Sequence, residues 1–307
     1  MIIFITANDH RYTHRALAKE RDVEVRVISH GELKARSANL PIATYVFTDV
    51  DRLAPEQRFH AARYYRALCK LGIRALNDPA RMLSRVGLLR ALYRAGINAF
   101  DAYRLEELSG PMRWPVFVRV DGSHSDPVSG LLNDQAELDA AIADCISRGI
   151  PRSLLMVIEY AAEPVIPGLY RKLSVFRVGD TMLGFTCVHD DKWLVKYGTP
   201  GIATPELYDE EYQLVADNPY LETMRTVFDI AGIDYGRVDF GLVDGRPQIY
   251  EINSNPDVKL RPKEGLVARR EESNALFREN YLAALRTIDT PAVQARAAAE
   301  PEAATSR

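Results

Sequence analysis

Residues 235–257 read YGRVDFGLVDGRPQIYEINSNPD, two runs rich in strand formers separated by Asp244-Gly245. An Asp-Gly pair between such runs is a strong hairpin signal. The apolar residues Val238, Phe240, Leu242, Ile249, Tyr250 and Ile252 accompany a polar set of Arg237, Asp239, Glu251 and Asn253. Two acids and an amide suit a hard cation such as Mg²⁺, which takes oxygen ligands and shares them with phosphates. The spacing can be tested on paper. Opposed residues of an antiparallel pair share a face, and a one-residue slip reverses that. Asp239 and Glu251 are twelve positions apart, so they oppose each other only across an odd-length loop. A three-residue loop of Asp244, Gly245 and Arg246, closed by a bulge, meets the condition. Arg237 with Asp239, and Glu251 with Asn253, then fall on one face by strand alternation. An ordinary solvated hairpin has no need of that convergence.

The 307 residues are enough for two or three lobes. A hydrophobic fraction of 47% and a charged fraction of 26% are ordinary for a globular enzyme. The net charge of -3 offers no electrostatic case for nucleic acid or an anionic membrane. Cys69, Cys145 and Cys187 lack metal-ligand spacing and are odd in number, so they are expected to be reduced thiols in a cytoplasmic protein. The opening MIIFIT lacks a basic flank and is expected to be a first strand rather than a signal peptide. Residues 291–307, rich in Ala and Glu without an apolar period, are expected to be a disordered tail.

Strand and helix patterns alternate through residues 1–80: strands at 2–6, 23–29, 44–48 and 73–76, a polar helix at 10–20, and an amphipathic helix at 58–71. This predicts a small parallel α/β domain. A helix over 82–94 stops at Gly96. A strand at 115–120, a turn-rich loop at 121–130, a helix at 133–147 and a strand at 154–160 form a compact module. Residues 173–178 and 182–188 read as a hairpin across Gly179-Asp180, and 189–211 as a long polar loop. Helices are expected at 220–231 and 272–287.

The order of these parts and the string GRVDF…YEINSNPD resemble the ATP-grasp carboxylate–amine ligases, of the D-alanine–D-alanine ligase and ribosomal-protein glutamate ligase types. The likeness spans about residues 75–290 and is most specific at its C-terminal motif. It implies an α/β fold of α+β lobes: a pre-ATP-grasp domain at 1–80, a linker helix and small lobe at 81–165, and a C-terminal lobe at 166–290. It also implies Mg²⁺ (or Mn²⁺) on Asp239, Glu251 and Asn253, with Arg237 holding the transferred phosphoryl group and the developing oxyanion. Arg119 ends the strand PVFVR where the family carries a phosphate-binding lysine, and Arg85, eleven residues before Gly96, replaces a second one. Arginine keeps the charge at both places but changes its geometry. The loop 121–130, with Ser123 and an atypical His124, matches a phosphate-covering loop, though it is poor in glycine. Glu159, Tyr160 and Ala162 fall at the hinge whose backbone reads adenine, and Glu163 falls near the ribose. Lys196-Tyr197 resembles a pair that nears the γ-phosphate on closure, and Arg171 and Lys172 are further phosphate-side cations.

The implied reaction joins a small-molecule or peptide carboxylate to an amine through an acylphosphate, at the expense of ATP. The stretch 257–263, made basic by Lys259, Arg261 and Lys263, is placed to hold a second carboxylate, and His10, Arg11 and Thr13 lie where α/β sheets bind ligands. The family's habit implies a homodimer or homotetramer. Two other readings compete: an ATP-grasp kinase acting on a hydroxyl, which sparse lysines disfavour, and a nucleotide binder without turnover, which has little use for the full metal set.

Overall fold

The computed structural model describes residues 1–35, 40–108, 113–123, 125–258, 260 and 267–289. His124, Lys259, Arg261, Lys263 and the tail 291–307 lie outside these residues.

The chain begins with β1 (Ile2–Thr6), β2 (Val25–Ser29), α1 (His30–Ala35), β3 (Thr44–Phe47), α2 (Pro55–Lys70) and β4 (Ala75–Leu76). The four strands form a parallel sheet in the order β2-β1-β3-β4. Every residue of β1 and β3 is buried, as expected of parallel strands covered on both faces. The polar stretch after β1 is not the expected α-helix but two 3₁₀ pieces, Asn8–His14 and Leu17–Lys19. Tertiary partners claim its side chains: His14 stacks on Phe4 at 4.0 Å, and Thr13 donates to Asn255 Oδ1 at 2.8 Å.

Next come α3 (Arg85–Arg94), β5 (Ala102–Arg104), β6 (Val116–Val120), α4 (Gln135–Ser147) and β7 (Leu155–Glu159). Ser84 caps α3 through Gly87 N, and Asp134 caps α4 through Glu137 N. The strands pair antiparallel in the order β5-β7-β6. Leu138, Ile142 and Cys145 of α4 pack on Val116, Val118, Leu155 and Val157, closing a small separate core.

The largest sheet holds β8 (Pro164–Ile166), β9 (Leu169–Val178), β10 (Thr181–Asp190), β11 (Tyr235–Val243) and β12 (Arg246–Asn253), with α5 (Pro205–Asp217), α6 (Leu221–Ala231) and α7 (Ala268–Ile288). Its order is β10-β9-β11-β12, with β8 beside β9. The last seven residues of the expected loop 189–211 are therefore helix. Pro205 stands at the first turn of α5, and its buried face is Tyr208, Glu211, Leu214 and Val215. Glu211 is a core position because Arg270 of α7 and the Cys187 N–H meet its carboxylate.

The decisive hairpin forms, and Asp239 opposes Glu251 as predicted, with Arg237 opposite Asn253. The turn differs from the expected three-residue loop. Val243 pairs with Arg246, leaving a two-residue turn in which Asp244 (φ 50°) and Gly245 (φ 71°) are both left-handed. The odd residue sits inside β12, where the register slips between Asp239/Glu251 and Phe240/Ile249. Tyr250 is the extra residue of that bulge. Asn98 pins it, donating to Ile249 O at 3.0 Å and accepting from Ile249 N at 2.8 Å.

Candidate active site

A cleft opens between the small sheet and the hairpin face of the large one. Its walls include Arg85 and Leu89 of α3, Phe117 and Arg119 of β6, Tyr160–Ala162 of the hinge, Lys172 of β9, Trp193–Lys196, and Asp239, Tyr250 and Glu251 of the hairpin.

Charged groups gather at one end. Asp239 is 1% exposed and accepts two hydrogen bonds from Arg237, at 2.7 and 3.0 Å. Ser174 Oγ donates to it at 2.9 Å, and Lys172 Nζ lies 3.2 Å away. Burial alone would raise the Asp239 pKa, but the Arg237 and Lys172 charges with these hydrogen bonds overrule it and hold the carboxyl well below its usual range. Glu251, opposite, is ion-paired with Arg85, which also donates to Ser123 O at 2.8 Å. Asn253 Oδ1 accepts from Asn255 N at 2.8 Å. Burial, then the Arg85 charge, lower the Arg119 pKa to about 10, so it stays cationic at neutral pH. Its guanidinium donates to Ser125 O at 2.7 Å. Lys196 Nζ pairs with Asp126 at 2.8 Å, joining the segment after β10 to the loop after β6. The Lys172 ammonium donates to Lys196 O at 2.8 Å, whereas Arg171 turns to Glu210 at 2.6 Å.

The other end is apolar. Leu89, Phe100, Phe117, Ile158, Trp193 and Tyr250 line it, and Trp193 lies 5.0 Å from Phe117 and 5.6 Å from Tyr160 between ring centres. The Tyr160 N–H donates to Pro115 O, so its carbonyl is the backbone group it can offer a base. The Glu159 side chain, 5% exposed, is structural: it accepts from Asp101 N, Tyr103 Oη and Arg113 N. Glu163 is not brought to the cleft wall; its carboxylate accepts from Asp244 N at 2.7 Å, at the hairpin turn. Trp193 and Tyr250 were missed in sequence. One of two tryptophans standing in a polar loop is a signal for the first; the bulge that turns Tyr250 to the cleft leaves no local one.

At the hairpin's far end, the loop after β12 meets the C-terminal end of the parallel sheet. Asn255 Nδ2 donates to Thr6 Oγ1 (2.9 Å) and Asp49 (2.7 Å), and Ser254 Oγ accepts from Asp49 N at 3.2 Å. His10 lies 3.4 Å from Asp49. His10 and Thr13 are therefore brought to the site's edge, while Arg11 pairs with Glu32 at 2.7 Å and is drawn away.

No family model matches the chain, and no curated protein matches it. Solved structures do. The D-alanine–D-alanine ligase of Bacillus anthracis, determined with ATP, is 12% identical with a TM-score of 0.55, over 98% of this chain and 100% of that one. The VanG D-Ala:D-Ser ligase of Enterococcus faecalis is 11% identical with a TM-score of 0.53, over 94% and 99%. The chain has the ATP-grasp fold. In an ATP-grasp arrangement of three sheets, the cleft described above lies between the second and the third. Among the described residues no helix is long and apolar enough to cross a membrane.

Proposed function

We propose that this protein is an ATP-dependent carboxylate–amine ligase that works through an acylphosphate, with an amino acid or peptide among its substrates. The observation that carries the reading is Asp239 opposite Glu251, ringed by Arg85, Lys172 and Arg237 at one end of a cleft whose other end is aromatic. An apolar slot ending in cations suits a purine nucleotide with its phosphates. The oxygen donors of Asp239, Glu251 and Asn253 would hold Mg²⁺, which would offset the charge of the phosphates. The ligases of similar fold join D-alanine to D-alanine or D-serine.

A carboxylate does not condense with an amine in neutral water because its oxygen is a poor leaving group. Transfer of the γ-phosphoryl group makes the acylphosphate; the amine then adds to the carbonyl, and phosphate departs. The chain's own part is positioning and charge. Arg237 would hold the equatorial phosphoryl oxygens and later the tetrahedral oxyanion. Lys172, Arg85 and Arg119 would bind the phosphate chain, and Ser123 with its loop would cover it. Lys196 would close over the γ-phosphate, its pairing with Asp126 drawing two segments together to keep water off the acylphosphate. Backbone groups of Tyr160 and Ala162 would read the base.

The test is ADP release from Mg·ATP against amino acids and short peptides, with mass detection of conjugates. A ligase gives ADP only with an acid and an amine together, and a product lighter than their sum by one water. Glu251→Gln and Asp239→Asn are expected to lower turnover by at least ~10²-fold, the scale of lost transition-state charge stabilisation, and Lys196→Ala by about tenfold. A phosphorylated product formed without amine would replace this reading with a kinase.

A further inference from the structure

The face of the large sheet turned away from the hairpin acids is covered by α5, which packs along β10. Cys187 and His189 are two apart on β10 and share that face, opposite Leu173 and Arg171 of β9. Glu210 of α5 stands over them. A carboxylate oxygen of Glu210, the Cys187 Sγ and a ring nitrogen of His189 all lie within 4.8 Å of one another. The cysteine is fully buried and the histidine 3% exposed.

Two features set this cluster apart from ordinary core packing. One is polar accounting. Among the described residues, the Nδ1 of His189 and the Oε2 of Glu210 are buried without a hydrogen-bond partner, and His189 Nε2 meets the Cys187 thiol at 3.7 Å. A buried polar atom left unmet costs about 1–3 kcal/mol, so two unmet atoms beside a buried thiol call for an occupant. The other is distance. Sulfur and nitrogen bound to one tetrahedral zinc, at about 2.3 and 2.0 Å, sit about 3.5 Å apart. The observed 3.7 Å needs only a small contraction.

The charges allow it. Arg171 pairs with Glu210 at 2.6 Å, and Arg270 grips Glu211 at 2.7 and 2.9 Å while donating to Cys187 O. Two guanidiniums are thus offset by two carboxylates, and the thiolate formed when Cys187 gives up its proton meets half of a divalent charge.

We propose that Cys187, His189 and Glu210 are three ligands of a Zn²⁺ site behind the sheet, with water completing the tetrahedron. Thiolate, imidazole and carboxylate together select zinc over the Mg²⁺ expected of the all-oxygen set at the cleft. The site has a structural consequence. The Thr199 N–H donates to His189 O at 2.7 Å, and Gly198 lies so close that a Cβ there would be 3.0 Å from His189 O. The segment carrying Trp193 and Lys196 therefore rests on the backbone of a zinc ligand, and the ion clamps its base.

The experiment is zinc analysis of untagged full-length protein, followed by chelator stripping and titration with Zn²⁺ and Co²⁺. One zinc per chain is expected, with a thiolate-to-cobalt charge-transfer band in the near ultraviolet. Cys187→Ser should abolish that band. His189→Ala and Glu210→Gln should each weaken zinc binding at least tenfold, and zinc should raise the Tm of the stripped wild type but not of Cys187→Ser. A substoichiometric trace of zinc, or the same affinity in Glu210→Gln as in wild type, would overturn the site and leave water as the occupant. Should Cys187→Ser fail to fold, the half-buried Glu210→Gln still decides.

Discussion

Asp239 is a carboxylate kept ionised in a place where burial alone would protonate it. Arg237 and Lys172 hold it there, and they depend on it in return. Replacing it by Asn removes the acid and leaves two half-buried cations without their partner, so Asp239→Asn is expected to cost about 3–5 kcal/mol. The shift of the denaturation midpoint measures this; an unchanged midpoint would mean that water already solvates the pair. The sign of its pH dependence follows from the depressed pKa. Its contribution is complete above the unfolded value of about 4 and is lost only as the pH falls through the lower folded one. His14 behaves differently. Burial against Phe4 outweighs the opposing pull of Asn255 and Asp49 and lowers its pKa from 6.5 to about 4. Between those values the unfolded chain binds the extra proton, so stability falls as the pH drops from 6.5 towards 4, by up to about 3 kcal/mol. Denaturant titrations across that window should show the loss, and His14→Phe should flatten it. No local cue in residues 10–20 marks His14 as a core residue; its partners come from β1 and from the loop after β12.

At the scale of elements, the hairpin and the α5–β10 contact are the two joints that shape the cleft. A Cβ on Gly241 would come within 2.2 Å of the Tyr250 hydroxyl, which donates to Ala161 O at 3.1 Å. Gly241→Ala is expected to displace that ring and raise the KM for nucleotide about tenfold, the worth of one aromatic contact, with kcat little changed. Steady-state kinetics separate the two. Gly184 is tighter, because a Cβ would lie 1.8 Å from Leu214 O of α5 and backbone cannot swing aside. Gly184→Ala should cost about 3 kcal/mol or more and lower the Tm. The buried face of α5 was partly legible, since Tyr208, Glu211, Leu214 and Val215 recur at helical spacing. Glu211 reads as a surface residue in sequence, because its partner Arg270 lies 59 residues away.

Over the whole molecule, one side chain ties the parallel sheet to the large antiparallel one. Asn77 donates to Phe47 O (3.0 Å) and Tyr235 O (2.8 Å), and accepts from Asp234 N and Tyr235 N, both at 2.8 Å. It does so from a left-handed backbone, φ 64°, which Asn tolerates better than most residues. Asn77→Ala should destabilise the protein by about 3 kcal/mol by stranding buried backbone groups. Asn77→Gly relieves the backbone strain and keeps the same loss, so comparing their denaturation midpoints separates hydrogen bonding from φ. An equal gain in both would contradict this role.

Residue order by itself determined the alternating βα start, the helices α3 and α4, and the hairpin that sets Asp239 against Glu251. These rest on period, cap and turn chemistry, which act over a few residues. Opposition of the two acids was also legible, because parity requires one odd residue somewhere between them. Where that residue goes was not. The Asp-Gly turn is satisfied by two left-handed residues, and the surplus moves to Tyr250, where Asn98, distant in sequence, receives the bulge. The same limit separates Arg171 from Lys172, which adjoin in sequence but point to opposite faces, one to Glu210 and one to Asp239. Tertiary packing alone decided which polar groups are buried together, since their partners are brought within reach only when the three sheets close on one another.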